Sequence, residues 1–396
     1  MKEHRANQLR LLATSHGLNH VYQLLTPVIM PQIAQEYALS ETTTGLLLAC
    51  FAVSYALLPV FAGYVSHVLG SRRVVSAGFV LTALAVAAMA FTDNLIVLAL
   101  LFFAAGAGGS TYHPNGTPLL ADAYAENRGR TLGLHQTGGA LGSVIGPIAT
   151  GALVLTFTWR HAVVILAIPG IVLAAILWLK IPPSKHDKKA VAEPLSKVNR
   201  FDLKTYAPAL LFILASAVYV FGQRGIDSFG MLYFVNAKGI EYLAATALFS
   251  GVKLAGLFSA PLCGYLSDKF SRKSVLATLI LVEAASLFAI TATPAALVTL
   301  PCIVFGFAAY GLLAVSEALL ADVAPEAHRN TIFGLNYTAS FSSSIFLPPV
   351  LGWTADSFGF DFGFTLLAAV IPLSIIPLAR IKITQQKKKP CDAAYQ

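Results

Sequence analysis

Charge is what this sequence has least of. Only 12% of its 396 residues are Asp, Glu, Lys or Arg, against roughly 25% in a soluble globular domain. With 56% of positions hydrophobic, there is too little polar surface to cover a water-facing domain, which excludes an ordinary soluble enzyme or binding module. Cysteine is scarce as well. Cys50, Cys263, Cys302 and Cys391 show no CxxC spacing, so neither a disulfide framework nor a zinc finger is expected. No cleavable signal peptide is expected, because MKEHRANQLRLL is polar and the apolar stretch after it is too long and too polar for a signal core. Acidic residues are outnumbered, 19 to 27, giving a net charge of +8. That excess does not point to nucleic acid, because its distribution follows another rule.

What the sequence has is apolar blocks of about 20 residues, the length of helix that crosses a bilayer. Twelve are read, at 9–35, 42–66, 72–91, 94–120, 130–156, 159–181, 206–236, 240–266, 273–292, 295–322, 330–355 and 360–382, and are called helices 1 to 12. Among all Lys and Arg residues, only Arg160 and Lys238 fall on one set of alternating loops, and only Arg224 and Lys253 fall inside blocks away from their ends. All the others lie on the opposite set or at the termini. The positive-inside rule places that basic set, with both termini, in the cytoplasm of a multi-pass inner (plasma) membrane protein. The lipid bilayer is thus the first expected partner, and nucleic acid is not one.

One long polar segment, PPSKHDKKAVAEPLSKVNRFDLK, separates helices 6 and 7. The expected division is an N-terminal six-helix bundle over 1–181, a cytoplasmic linker over 182–205, a C-terminal bundle over 206–382 and a cytoplasmic tail over 383–396. An internal repeat supports it. LLADAYAENRGRTLGL begins at Leu119 and LLADVAPEAHRNTIFGL at Leu319, while GYVSHVLGSRRVV begins at Gly63 and GYLSDKFSRKSV at Gly264. Two matches at nearly one shift imply parallel repeats about a pseudo-twofold axis along the membrane normal, with a site between the halves near the midplane.

The loop after helix 2 resembles the GxxxDxxGRR pattern of the major facilitator superfamily. The first copy carries Gly63, His67, Gly70, Arg72 and Arg73, with His67 in the place of the acid; the second carries Gly264, Asp268, Lys269, Arg272 and Lys273. The resemblance implies an all-α membrane fold of two six-helix bundles that alternates access, with Gly63, His67, Arg72, Arg73, Asp268 and Arg272 as gating residues. The family's acid holds one gated state, so histidine at 67 implies a less firmly locked outward-facing state. In helix 5, the spacing of Gly133, Gly142, Gly146-Pro147 and Thr150-Gly151 is similar to the motif of drug–proton antiporters, with Thr150 where that motif has glycine. Gly142, Gly146 and Pro147 are therefore either gating residues or a packing face on which helix backbones approach closely. HGLNH in helix 1 and YHPNG in helix 4 resemble the fosmidomycin-resistance type of exporter, with His20 and Asn115 standing where those relatives carry acids.

Ionisable groups inside a bilayer are costly and so point to function. His16, Asn19, His20 and Gln23 form one polar stripe at i, i+3, i+4 and i+7. With Tyr112, His113 and Asn115 of helix 4, Gln223 and Arg224 of helix 7, Lys253 of helix 8, and Asn336 and Tyr337 of helix 11, they are the expected substrate contacts. Asp227, Glu317 and His113 are the expected proton carriers. Arg224 and Asp227, at i and i+3, can pair; Lys253 needs a counter-ion from another helix or from substrate. Glu283 in helix 9 reads as a packing or snorkelling group. His16 and His20 have metal-ligand spacing on one helix face, but with no Cys or carboxylate nearby no metal and no cofactor is assigned.

The N-terminal half offers histidines and amides without a mid-membrane carboxylate, and the C-terminal half balances two cations against two acids. The expected function is therefore secondary active transport of a small organic solute, anionic or zwitterionic, as proton-coupled export by a monomer. Uptake of an organic anion or of a metal chelate such as a siderophore is the alternative. A membrane-embedded enzyme would need clustered catalytic groups, and the nine histidines are scattered along the chain.

Overall fold

The computed structural model describes residues 2–124, 128–182, 203–325 and 328–381. Most of the expected linker and tail, and the side chain of the predicted gating residue His67, lie outside the described residues. The described chain is helical, with no strand. Helix 1 runs Lys2–Glu36, helix 5 Arg128–Thr156, helix 7 Leu203–Leu232, helix 8 Tyr242–Lys269, helix 10 Thr299–Val323 and helix 11 Arg329–Phe358.

Helices 2 and 4 are broken where proline dictates it. Proline removes a backbone N–H and its ring collides with the carbonyl four residues back. Helix 2 accordingly stops at Leu57 and restarts at Pro59. Helix 4 stops at Ser110, four residues before Pro114, and restarts at Tyr112. Capping fixes the ends that meet loops. Ser40 accepts the Thr43 N–H, Asn94 the N–H groups of Ile96 and Val97, and Thr158 that of His161.

Ten of the described helices are long and apolar enough to cross a membrane. Helices 1 and 11 are longer than most of these, at 35 and 30 residues, yet are not among the ten. They are too polar, and a spanning helix can afford polar residues only where it faces protein or a water-filled cavity. The outward faces are apolar by contrast: Leu84, Ile96, Leu100, Ile168 and Leu179 are each more than half exposed, a surface suited to lipid and not to water.

Within the N-terminal half, helices 1 and 5 approach to backbone contact. A methyl group on Gly142 would stand 2.0 Å from the Gly17 carbonyl oxygen, and one on Gly138 2.2 Å from that of Ala13. Gly146 lies against Val21. Of the two readings of the helix 5 glycines, this placement fits the packing face.

The halves meet through helices 2 and 11, helices 5 and 8, and helices 1 and 7. Among the described residues, their mutual hydrogen bonds cluster at the end that carries Arg160 and Lys238. Asp356 accepts the N–H groups of Glu41 (2.9 Å) and Thr42 (2.8 Å) and the Thr42 hydroxyl (2.6 Å). Asn236 donates to Glu41 and Tyr242 to the Val28 carbonyl. At the basic end the equivalent helices stand apart: a Cβ on Gly133, Gly264 or Gly334 would meet nothing within 4 Å. The cavity is therefore sealed at the Arg160 end and open at the basic end.

The seal depends on bare backbone. A Cβ on Gly45 would stand 2.2 Å from the Pro348 carbonyl oxygen, and one on Gly352 2.1 Å from that of Glu41. Since backbone cannot swing aside as a side chain can, Gly45→Val is expected to force this end apart. Reporter cysteines at the junction of helices 2 and 11 should label at least ~10-fold faster in that variant, a population shift of about 1.4 kcal/mol. Unchanged labelling would show that the closure does not rest on this contact.

Candidate functional site

The opening leads to a cavity whose walls are the polar faces of helices 1, 7 and 11 together with helices 2 and 10. On the C-terminal side it is lined by Tyr219, Gln223, Arg224, Glu317, Asn336 and Tyr337, among others. A second lobe carries Gln23 and Tyr55 from the N-terminal half opposite Arg224, Asp227 and Phe341. The two lobes share Arg224, which places that guanidinium between the halves.

Arg224 does not pair with Asp227, contrary to the i, i+3 expectation. Its guanidinium lies 4.3 Å above the Phe341 ring, and its buried Nε has no hydrogen-bond partner. No carboxylate among the described residues is within ion-pair distance. Asp227 turns instead to helix 8, forming a salt bridge with the Lys253 ammonium. Tyr310 of helix 10 completes the cluster, its hydroxyl 2.5 Å from Lys253 Nζ and 2.8 Å from Asp227 Oδ1. The Lys253 side chain is 3% exposed and that of Asp227 21%, so the cation is the deeper partner. The Phe249 ring faces the ammonium at 4.6 Å. Lys253 thus finds its counter-ion inside the protein, whereas Arg224 has none among the described residues.

Glu317 lines the cavity and accepts a 3.1 Å hydrogen bond from Tyr337. Asn336 accepts from Ser216 at 2.5 Å. Of the two expected roles of Glu283, packing and snorkelling, its placement fits packing. It is fully buried, with Oε1 accepting the backbone N–H of Gln223 at 3.1 Å and Oε2 unpartnered. A methyl group on Gly222 would stand 2.5 Å from Oε1, so the absence of a side chain there makes room for the carboxyl group. Glu283 therefore points inward at helix 7 and does not snorkel.

On the N-terminal side the aromatic rings converge. His16 stacks on His135, centroids 4.4 Å apart and planes 16° apart, and meets His113 edge-on at 5.2 Å. His20 Nε2 lies 3.1 Å from His16 Nε2. The break at Thr111, imposed by Pro114, lets Tyr112 and His113 face this cluster on the return of helix 4. His113 is the exposed member of this cluster.

Three predicted substrate contacts are buried and hydrogen-bonded within the protein. Tyr112 is buried, donates its hydroxyl proton to the Leu12 carbonyl at 2.5 Å and accepts from His135 Nε2 at 2.8 Å. Asn115 is fully buried and donates to the Thr111 carbonyl at 2.9 Å, beside the proline break, while its Oδ1 has no partner. Asn19 is buried and donates to the Tyr55 hydroxyl at 3.0 Å. Periodicity shows which face of a helix is polar; it does not show which polar atoms are already satisfied.

The basic-end loops differ between the halves. Arg272 binds Asp268 (2.9 Å), Asp322 (2.5 Å) and the Ala318 carbonyl (3.0 Å). Arg72, its counterpart, donates to the Ile181 carbonyl at 3.1 Å and lies over Trp178, which Arg73 also faces. Among the described residues neither Arg72 nor Arg73 has a carboxylate partner.

A family model described as the Major Facilitator Superfamily matches residues 12–312 and 246–393. The chain is 23% identical over 377 residues to the hexuronate transporter of Bacillus subtilis, covering 89% of this chain and 88% of the relative. It is 22% identical over 380 residues to the glycerol-3-phosphate transporter of the same organism, with 87% and 85% covered. It is 25% identical over 276 residues to the fosmidomycin resistance protein of Escherichia coli, with 68% and 66% covered. Among solved structures, a bacterial homolog of the human lysosomal transporter Spinster, inward-facing, superposes with a TM-score of 0.78 at 18% identity, covering 96% of this chain and 95% of that one. The nucleoside transporter NupG superposes with a TM-score of 0.82 at 11% identity, covering 94% and 99%.

Proposed function

The chain belongs to the Major Facilitator Superfamily and is a multi-pass membrane transporter of small solutes, and we propose that its substrate is a small organic anion or zwitterion docked on Arg224. The observation that carries this reading is the guanidinium itself, set between the halves over Phe341 with its Nε unpartnered. A cation in a membrane protein is costly unless it has a partner, and an anionic substrate supplies one in the fork geometry that arginine favours. The hexuronate and glycerol-3-phosphate of two relatives' names are anions, in keeping with this choice.

With the basic end assigned to the cytoplasm and the linker to 182–205, the conformation described above is inward-open. Substrate enters from the cytoplasmic side, reaches Arg224 and lies between the polar stripe of helix 1, at His20 and Gln23, and that of helix 11, at Asn336 and Tyr337. Coupling is assigned to the carboxylates that face this path. A proton on Asp227 weakens its hold on Lys253, freeing the ammonium for substrate or for a new partner in the outward-facing state. Glu317, at the mouth with Tyr337, relays protons to the cytoplasmic side. Export is the favoured direction, on the likeness to the fosmidomycin resistance protein.

A thermal-stability screen of purified protein is the direct test of substrate class. Organic anions are expected to raise the melting temperature, and stabilisation by organic cations alone would overturn the reading. Direction and coupling are read in proteoliposomes under an imposed pH gradient. Solute should move against the proton flow, and flux indifferent to the gradient would remove proton coupling.

A further inference from the structure

We propose that His16, His20 and His113 form a binding site for a divalent transition metal such as Zn2+, either free or carried by a small chelating anion. Each histidine offers one ring nitrogen, and the three atoms lie within 4.8 Å of one another. Helical spacing brings His16 and His20 together; only the chain break before Tyr112 brings in His113, so the third ligand is invisible to a search along one helix. Imidazole nitrogen suits Zn, Cu, Fe and Ni. Three histidines with one open position are an established arrangement for a zinc ion that exchanges its fourth ligand.

The hydrogen bonding around the cluster fits this assignment. His16 Nδ1 lies 3.0 Å from the carbonyl oxygen of His135. A carbonyl only accepts, so Nδ1 carries the proton, and Nε2 presents its lone pair to His20. A carbonyl anchor of this kind on the non-ligating nitrogen fixes tautomer and ring orientation at metal sites. Stacking of His16 on His135 and the short Tyr112–His135 bond hold the anchor itself in place. His20 becomes a ligand once its own ring proton sits on Nδ1.

The distances require only modest closure. Nitrogens on a tetrahedral zinc at 2.0–2.1 Å stand about 3.4 Å apart. The His16–His20 edge is 3.1 Å, and the edges to His113, within 4.8 Å, close by up to about 1.4 Å through the side chain of His113, the exposed member. Burial is graded from His16 through His20 to His113, so the His113 side of the cluster is the accessible one. Lys253, whose charge reaches His20, is neutralised by Asp227. Three neutral imidazoles would leave the metal's double charge in place, and Tyr55, whose ring centroid lies 6.4 Å from that of His113, lines the lobe that holds Arg224. A chelate with a free anionic group fits both features, and that choice of source, unlike the metal site, rests on the anion reading above.

The test uses the full chain purified on an affinity tag without histidine and stripped with a chelator. Zn2+ is titrated in competition with a chromophoric indicator, and Co2+ serves as the spectroscopic probe of low coordination number. One saturable site is expected, weakened at least ~10-fold by His20→Ala and by His113→Ala and unchanged by His161→Ala. His113→Cys should restore binding and add a thiolate band to the Co2+ spectrum, which a purely structural histidine would not produce. Absence of saturable binding, or an affinity indifferent to His113→Ala in protein that still elutes as a monodisperse species, would overturn the site. Flux of radioactive zinc into proteoliposomes, alone or with excess citrate, then separates free ion from chelate. Because Zn2+ binding is read without any organic ligand, failure of this site and failure of the anion reading are separate results.

Discussion

Replacing Arg224 by glutamine is expected to raise the dissociation constant for the anionic substrate by about two orders of magnitude while leaving the protein folded. Truncating one partner of a buried, hydrogen-bonded charge pair costs roughly 2–5 kcal/mol, and each 1.4 kcal/mol is about tenfold in affinity. The fold has little to lose, because no carboxylate among the described residues depends on Arg224. What it forfeits is the contact with the Phe341 ring at 4.3 Å, worth on the order of 1 kcal/mol. Arg224→Lys separates charge from shape. Lysine keeps the positive charge but loses the planar fork that meets a carboxylate or phosphate through two bonds, so binding should be recovered only in part. The measurements are ligand-induced thermal stabilisation and proteoliposome flux on all three proteins. If Arg224→Gln binds and transports anions like the parent, Arg224 is not the docking cation. If its melting temperature collapses without ligand, the residue is structural.

The contrast between Arg224 and Lys253 shows how far the sequence carries. Apolar blocks, charge asymmetry and the two internal repeats are one-dimensional properties, and they specify the twelve spans and their two-bundle arrangement. Even the exceptions were informative: helices 1 and 11 carry the polar stripes read from HGLNHVYQ and from Asn336, Tyr337 and Ser340, and these are the spans too polar to qualify as ordinary membrane helices. Pairing is three-dimensional. Arg224 and Asp227 share a helix at favourable spacing, yet Lys253 and Tyr310 on two other helices capture the carboxylate. Glu283 reads from sequence as either packing or snorkelling, and the missing side chain of Gly222 on another helix is what makes room for it to point inward. His135 lies 119 residues from His16 and reaches it because Gly138 and Gly142 let helices 1 and 5 touch. The one available signal was that glycine face, which required helix 1 to be named as its partner. Tyr112 and Asn115 looked like ligands because they are polar and intramembrane; the carbonyls of Leu12 and Thr111 had already claimed them.

The Asp227–Lys253 pair should respond asymmetrically to mutation, and the double variant should be more stable than either single one. Removing one member of a buried ion pair strands the other, at roughly 3–5 kcal/mol when burial is complete. Asp227→Asn strands Lys253, whose side chain is 3% exposed. Its remaining stabilisation comes from the Tyr310 hydroxyl at 2.5 Å and the face of Phe249, so a loss of about 3 kcal/mol is expected. Lys253→Met strands Asp227, which is 21% exposed and keeps its hydrogen bond from Tyr310. Water and the hydroxyl soften that loss, to about 2 kcal/mol. In Asp227→Asn/Lys253→Met both charges are gone, an amide still accepts from Tyr310, and methionine fills the volume of the lysine stem. Stability should return to within about 1 kcal/mol of the parent, since replacing a buried pair by groups of similar volume is often neutral. The non-additivity is the measurement: thermal or denaturant unfolding of the four proteins in one detergent gives the coupling energy. Additive losses would mean that the two side chains do not pair in the folded protein. Transport is expected to behave differently from stability. If Asp227 takes up the coupling proton and Lys253 is what it releases, the double variant folds well and still fails to move solute against a proton gradient. Coupled transport by the double variant would assign the proton to Glu317 and leave this cluster a structural one.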